Sequence, residues 1–309
     1  MSISAKNQSK RSANITVAII CLVILAGALL YVMYDKGLFD EYKSVKVEKP
    51  ELGTSYVHFI DVGQGDSELI IADDGTTMLI DCGEYEYGAV IMHYLNQLGI
   101  EKLDYIVATH PHSDHIGGMG YVIGSELEIG KVYMPQIPAE FVPATNSFSR
   151  VLQAVADKGG KLTKGENTEF DFGSGKIYMY VSDYAEDNLN NYSIMIKYVI
   201  GDKSFLFTGD MEEVIEEYYL EKGTDLNATV LKVAHHGSST SSSVDFLNAV
   251  TPEYCVIECG DNSYNHPNSN TVKKLLLHTK EIYRTDIQGT IVFKTDGQTV
   301  SREFYDLVG

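Results

Sequence analysis

The sequence predicts an α/β protein built as a four-layer sandwich, two mixed sheets face to face with helices on both outer sides, and three observations predict it. Of the 309 residues, 44% are apolar, which is enough for a large core and far from a disordered composition. Short apolar runs bounded by Gly or Asp alternate with stretches of helical periodicity from residue 56 onward. Hairpin-type pairs come early in each half of that region and helix–strand alternation follows them, so each half needs a sheet with antiparallel and parallel parts. No fixed-period repeat interrupts this pattern.

Residues 1–14 form a leader that contains Lys6, Lys10 and Arg11 and no acid. Residues 15–34, "ITVAIICLVILAGALLYVMY", carry no charge. As a helix rising ~1.5 Å per residue they span a ~30 Å hydrocarbon layer. Cleavable secretory signals have apolar cores of about 7–15 residues and small-residue exits, whereas this run ends with Tyr31 and Tyr34. It is read as a single-pass anchor in the cell membrane. The basic leader stays in the cytoplasm and the body lies outside it. Residues 35–55, with Pro50 and Gly53 and no periodicity, read as a linker, and 56–309 as the folded domain.

The domain opens with strand, turn, strand: "YVHFIDV", "SELIIA", the turn "DDGT", and "TMLID". Ile91, Leu95 and Leu98 sit at helical spacing ahead of Gly99, a C-cap residue. "LDYIVATH" returns as a strand, a helix covers about 147–158, and hairpin strands fill 168–181. "YSIMIKYVI" pairs with "KSFLFTGD", a helix follows Asp210, and "ATVLKVAHH" reads as a strand through its histidines. The serines 238–243 read as a loop ending in a cap for "VDFLNAV". His58, His93 and His278 are taken as structural, and Arg284 as either an anion contact or an edge-strand ion pair. Cys21, Cys82, Cys255 and Cys259 match no metal-binding spacing and are read as core residues.

The net charge of −19 sets a boundary on function. Non-specific nucleic-acid binding rests on lysines and arginines neutralising phosphates, so the bulk field disfavours it. The chemistry concentrates in "THPHSDH", where His110 and His112 lie two apart on an extended backbone and Asp114 and His115 follow. Imidazoles and a carboxylate at that density suit a divalent metal, and one such loop can serve two ion positions.

This segment resembles the metal-binding signature of the metallo-β-lactamase superfamily. "TMLIDCG" is similar to that family's early Asp motif and "FLFTGD" to its later one. "FIDVGQGDS", "NNYSIMIKY", "LKVAHHGSSTSSS", "NHPN" and "YRTDIQGTIVF" resemble the ComEC-type branch, the hydrolase domain of competence proteins, over about residues 56–295. The resemblance implies His110, His112, Asp114, His115, Asp210 and His235 as ligands of one or two ions, zinc or manganese. Asp210 would bridge them, and Asp81 would orient imidazoles from behind. Asp210 could also cap the helix that follows it. Adjacent side chains of a strand point opposite ways, so His235 is chosen as ligand and His236 is placed behind it, the reverse assignment staying open. His266 would contact substrate or donate a proton, so Asp114, Asp210 and His266 form the expected catalytic set.

Two departures from the family pattern stand out. Where a third histidine for the first ion is usual, "DNLNNYS" offers Asn188, Asn190 and Asn191, as in the ComEC-type branch, and Ser239 replaces a residue that is often basic. Two ions about 3.5–4 Å apart lower the pKa of a shared water from 15.7 to about 7, so the reaction class is hydrolysis by hydroxide. The expected activity is on phosphodiesters. Two alternatives remain: hydrolysis of a non-nucleic cell-surface ester, or a binding protein that keeps the fold without turnover.

Overall fold

The computed structural model describes residues 49–303. The expected leader, membrane span and most of the linker lie outside the described residues. Among those described, no helix is long and apolar enough to cross a membrane.

The first half opens with β1 (Ser55–Phe59), β2 (Glu68–Ile71) and β3 (Thr77–Ile80) as an antiparallel meander. Helix α1 (Gly88–Leu98) ends on Gly99 at φ 73°, the left-handed C-cap its sequence anticipates. Next come β4 (Lys102–Val107), the short helices α2 (Ser113–Ile116) and α3 (Met119–Ile123), β5 (Glu128–Met134), α4 (Asn146–Asp157) and β6 (Leu162–Lys164). The crossovers run in parallel, β3 beside β4 beside β5 beside β6.

The second half repeats the plan. β7 (Thr168–Phe172), β8 (Gly175–Tyr180), β9 (Met195–Ile200) and β10 (Lys203–Phe207) are antiparallel. Helix α5 (Glu213–Glu221), β11 (Val230–Lys232), α6 (Val244–Val250), β12 (Tyr254–Ile257), α7 (Ser269–Leu275) and β13 (Glu281–Arg284) follow, with β10 to β13 parallel. The chain then returns to the first sheet. β14 (Ile291–Thr295) and β15 (Val300–Glu303) form a hairpin, and β14 pairs antiparallel with β1. The sequence reading marks alternation here and does not anticipate the return.

Eight strands thus form one sheet, in the order β15-β14-β1-β2-β3-β4-β5-β6, and seven form the other, β13 through β7. Strand alternation builds the layers. Ile70 and Ile80 turn inward to meet Ile177, Ile196 and Phe207 between the sheets, while Leu69, Ile71 and Leu79 turn outward under Ile91, Leu95 and Val151 of α1 and α4. On the far side, Leu206, Leu231 and Cys255 pack under Ile215, Phe246 and Leu275 of α5, α6 and α7. These are the four layers expected. Cys82, Cys255 and Cys259 are buried free thiols. Ser243 caps α6 by accepting from the Phe246 amide. Arg284 pairs with Asp286 at the outer edge of the second sheet (Nε–Oδ1 2.9 Å), so the ion-pair reading holds.

Candidate metal centre

The parallel strands of both sheets end at one side of the sandwich. Asp81 follows β3, the 108–115 segment follows β4, Asp210 follows β10, the histidine pair follows β11 and Glu258 follows β12. The carboxyl ends of parallel strands are where the chain leaves its hydrogen-bond ladder and side chains can converge.

Asp114, His115, Asp210 and His236 bring one ligand atom each within 4.8 Å of one another. His115 Nε2 lies 3.3 Å from Asp210 Oδ1, and His236 Nε2 lies 3.3 Å from Asp114 Oδ2 and 3.6 Å from Asp210 Oδ2. His115 Nε2 and Asp210 Oδ1 are buried and make no hydrogen bond to another described residue. Buried polar atoms facing one another without a partner suit a shared cation. The set, two imidazoles and two carboxylates, therefore fits a divalent ion of the zinc or manganese type.

Asp81 stands behind this group. Its Oδ2 accepts from His115 Nδ1 at 2.7 Å and from the Thr109 hydroxyl at 2.5 Å, and its Oδ1 accepts from the Thr109 amide at 2.8 Å. With Nδ1 committed to Asp81, the Nε2 of His115 is left for the cleft. A second group of histidines also approaches Asp210. His110 Nε2 lies 3.9 Å from Asp210 Oδ2 and 3.0 Å from His112 Nδ1. The hydroxyl hydrogens of Thr109 and Ser193 go to Asp81 and to the Asn190 carbonyl, so both oxygens accept from His110 Nδ1, at 3.2 and 3.4 Å, which also leaves its Nε2 to the cleft.

The structure brings His236, rather than His235, into the four-residue group. β11 stops at Lys232 and both histidines are left-handed, each at φ 51°, so strand alternation does not apply to them. His236, buried, joins Asp114, His115 and Asp210. His235, part-exposed, points its Nε2 to within 3.8 Å of Asp210 Oδ2 and 3.5 Å of Asn190 Nδ2, on the His110–His112 side. A histidine thus stands beside the asparagine-rich turn where the family pattern lacks one. Of the three asparagines, Asn190 faces the cluster, Asn188 bonds Glu212 Oε2 at 2.7 Å, and Asn191 accepts from the Glu212 amide at 3.0 Å. The residue at the N-cap of α5 is Glu212, so the capping alternative for Asp210 falls away.

Electrostatics divide the two clusters. Burial, aided by the neighbouring His115 charge, holds His110 well below the ordinary histidine range, and burial likewise lowers His112. Burial opposes charge on His115 and His236 too, but Asp210 and its neighbours outweigh it, raising His115 well above the usual range and His236 to about 10. Burial also opposes ionisation of Asp210, and the His115 and His236 imidazoles overcome it, holding the carboxyl well below its usual value.

His266 sits at the cleft mouth, its ring centroid 5.2 Å from that of His235. Burial, with His235 and His236 alongside, lowers it to about 4. The cleft holds about 810 Å³ and includes Glu84, Asp114, Asp210 and Asp261 in its wall, with no Lys or Arg among the described residues that line it. His58 is fully buried and bonds the Tyr94 hydroxyl at 2.7 Å, as a structural histidine should.

The model of the metallo-beta-lactamase superfamily matches residues 60–257. The chain belongs to that superfamily. It is 27% identical over 302 residues to ComE operon protein 3 of Bacillus subtilis and 31% over 293 residues to competence protein ComA of Neisseria gonorrhoeae, covering 91% and 88% of this chain. It spans 38% of the length of each of these relatives. The metallo-beta-lactamase fold protein YhfI of Bacillus subtilis superposes with a TM-score of 0.52 at 15% identity, over 78% of this chain and all of that one, which shows the fold.

Sequence reasoning missed one group in this superfamily member. Asp66, Glu68, Lys232 and Glu258 are fully buried directly behind the site. Glu68 and Glu258 are side-chain partners. Burial first, then the proximity of other acids, pushes Glu68 up to about 8 and Glu258 well above the carboxylate range, while the coulombic pull of Lys232 and His236 outweighs burial and keeps Asp66 low. The signal was in the acids of "GQGDSE" and "VIEC" and the lysine of "LKVAHH", each beside an apolar strand.

Proposed function

We propose that this chain is a membrane-anchored, extracytoplasmic hydrolase that uses a divalent metal pair to cleave phosphodiesters. The observation that carries the metal reading is the convergence of Asp114, His115, Asp210 and His236 within 4.8 Å. His110 and His235 also approach Asp210, with His112 bonded to His110, and Asp210 is the one carboxylate both groups share. When bound, such ions supply an activated water near neutral pH and stabilise charge on the attacked centre. The protein's own part is to aim the Nε2 atoms of His110 and His115 by bonding their Nδ1 atoms, and to place His266 over the open cleft. The phosphodiester substrate is supported by the likeness to competence proteins. The anchor is supported by the uncharged run 15–34 and the orientation by the acid-free basic leader.

A second reading, hydrolysis of an uncharged ester, is favoured by the acids in the cleft wall. One experiment separates the readings. The full chain, loaded with zinc or manganese, is assayed on chromogenic phosphodiesters and carboxyl esters, with Asp210→Asn and EDTA treatment as controls. Phosphodiester turnover that falls by at least about 100-fold in Asp210→Asn and with EDTA supports the proposal, since both clusters share this carboxylate. Turnover of the carboxyl esters alone favours the second reading. No turnover by a metal-loaded chain leaves the binding-protein alternative. Protease added to intact cells tests the topology: digestion of the domain agrees with it, and protection reverses it.

A further inference from the structure

The "GQGDS" loop and the buried lysine at the end of β11 take no part in the function proposed above, yet they meet directly behind His236. Lys232 and Asp66 are both fully buried, and the Lys232 ammonium donates to Asp66 Oδ2 and to the Val233 carbonyl at 3.1 Å. The other carboxylate oxygen, Asp66 Oδ1, lies 3.2 Å from His236 Nδ1. The same nitrogen lies 3.0 Å from the Glu258 carbonyl. A carbonyl oxygen only accepts, so Nδ1 carries a hydrogen, and Nε2, which faces Asp114 and Asp210, is the nitrogen that would give up its proton to an ion.

The loop is fixed to the metal-binding segment by its main chain. The Asp66 amide donates to the Asp114 carbonyl at 3.1 Å and the Asp66 carbonyl accepts from the Gly83 amide at 2.9 Å. A Cβ on Gly65 would lie 2.4 Å from the Asp114 carbonyl oxygen, so the close approach requires glycine there. Stability alone does not account for the pair. Replacing a buried ion pair by apolar residues of similar volume is often neutral or stabilising, whereas leaving one member alone is costly. His236, outside regular strand geometry, needs its ring direction set by contacts, and Asp66 offers the charged one.

We propose that Asp66, held by the buried ammonium of Lys232, is the positioning residue that, beside the Glu258 carbonyl, sets the direction and basicity of the His236 imidazole for the ion shared with Asp114, His115 and Asp210. This rests on the metal reading above and adds a role that reading does not contain. The pair stands behind His236 and outside the group formed by Asp114, His115, Asp210 and His236. Carboxylates behind metal-bound histidines typically contribute 10–100-fold in metal affinity.

The test uses the full chain, stripped of metal and titrated with cobalt(II), whose visible spectrum reports its ligands. The double variant Asp66→Asn/Lys232→Met removes both charges while keeping volume. The expected result is a urea midpoint near that of the parent, cobalt affinity 10–100-fold weaker, and a changed visible band. Parental affinity and spectrum in the double variant overturn the inference while leaving the metal reading intact. A parent chain that takes up no cobalt overturns both. Should the double variant not fold, the histidine nitrogen spectrum of the zinc-loaded parent decides. A protonated, slowly exchanging Nδ1 whose signal moves in Asp66→Glu and a metal-shifted Nε2 on His236 are expected; an Nδ1 signal unmoved by Asp66→Glu, or coordination through Nδ1, overturns the proposal.

Discussion

At the scale of single residues, the two adjacent histidines carry the sharpest expectation. His236 belongs to the four-residue group with Asp114, His115 and Asp210, whereas His235 lies beside Asn190, so removing each should affect a different equivalent of metal. His236→Ala takes one donor from a tight four-residue cluster, and His235→Ala takes one from the looser group beside Asn190. Calorimetric titration of the full chain should show His236→Ala weakening the first, tighter equivalent by on the order of tenfold or more, and His235→Ala weakening only the second. Equal effects on both equivalents would merge the two positions into one. The four candidate ligands on "THPHSDH" were legible because their density is unusual and their spacing local. The choice between the two histidines was not, because it depends on two left-handed backbone angles that no side-chain pattern announces. His58 gives a separate expectation in pH. Burial holds it down at about 3 against 6.5 in the unfolded chain, so the unfolded state alone takes up its proton as pH falls through that window. Its contribution is intact above pH 6.5 and is lost toward pH 3, at up to about 1.4 kcal/mol per pH unit. Urea midpoints of His58→Gln should fall less steeply than those of the parent between pH 6 and 4. A parallel pair of curves would mean that this imidazole is protonated in the folded state as well.

At the scale of elements, helices were read well and strand ends poorly, and the difference is physical. Helical spacing in "YGAVIMHYLNQLG" and the cap at Gly99 are local signals, and α1 falls where they put it. The apolar run "ATVLKVAHH" looks continuous in sequence, yet β11 is only Val230–Lys232, because His235 and His236 leave the ladder to reach the cleft. The return of β14 and β15 to the first sheet is a long-range pairing between residues more than two hundred positions apart, and periodicity holds no record of it. The loop between β1 and β2 is the element on which the site most depends. Gly65→Ala would press a methyl group against the Asp114 carbonyl, for which overpacking costs about 1–3 kcal/mol. The variant should show a lower urea midpoint and, because the Asp66 and Asp114 main chains are bonded, a weaker first metal equivalent. A stability loss with unchanged metal affinity would mean that the 110–115 segment holds its shape without this loop.

At the scale of the whole molecule, charge sets what can approach. The chain carries a net −19, the cleft wall contains Glu84, Asp114, Asp210 and Asp261, and no Lys or Arg lines it among the described residues. The ions would neutralise part of this locally, but the body around them remains acidic. A substrate with several phosphates must therefore enter against a repulsive field, whereas one with a single phosphodiester feels much less of it. Salt screens such repulsion over a Debye length of about 30 Å at 0.01 M and about 10 Å at 0.1 M. For an oligonucleotide substrate, kcat/KM should rise several-fold between these two ionic strengths, mainly through KM. For a small chromogenic phosphodiester of single charge it should change by less than about twofold. Ordinary nucleic-acid binding runs the other way, since releasing counterions from phosphates makes it weaken as salt increases. Steady-state kinetics at the two salt concentrations, with zinc or manganese held in excess and monovalent salt as the only variable, distinguishes the cases. A kcat/KM for the oligonucleotide that falls steeply with salt would place a cationic phosphate-binding surface on this chain, outside the cleft residues described, and would return a polymer to the front rank of substrates.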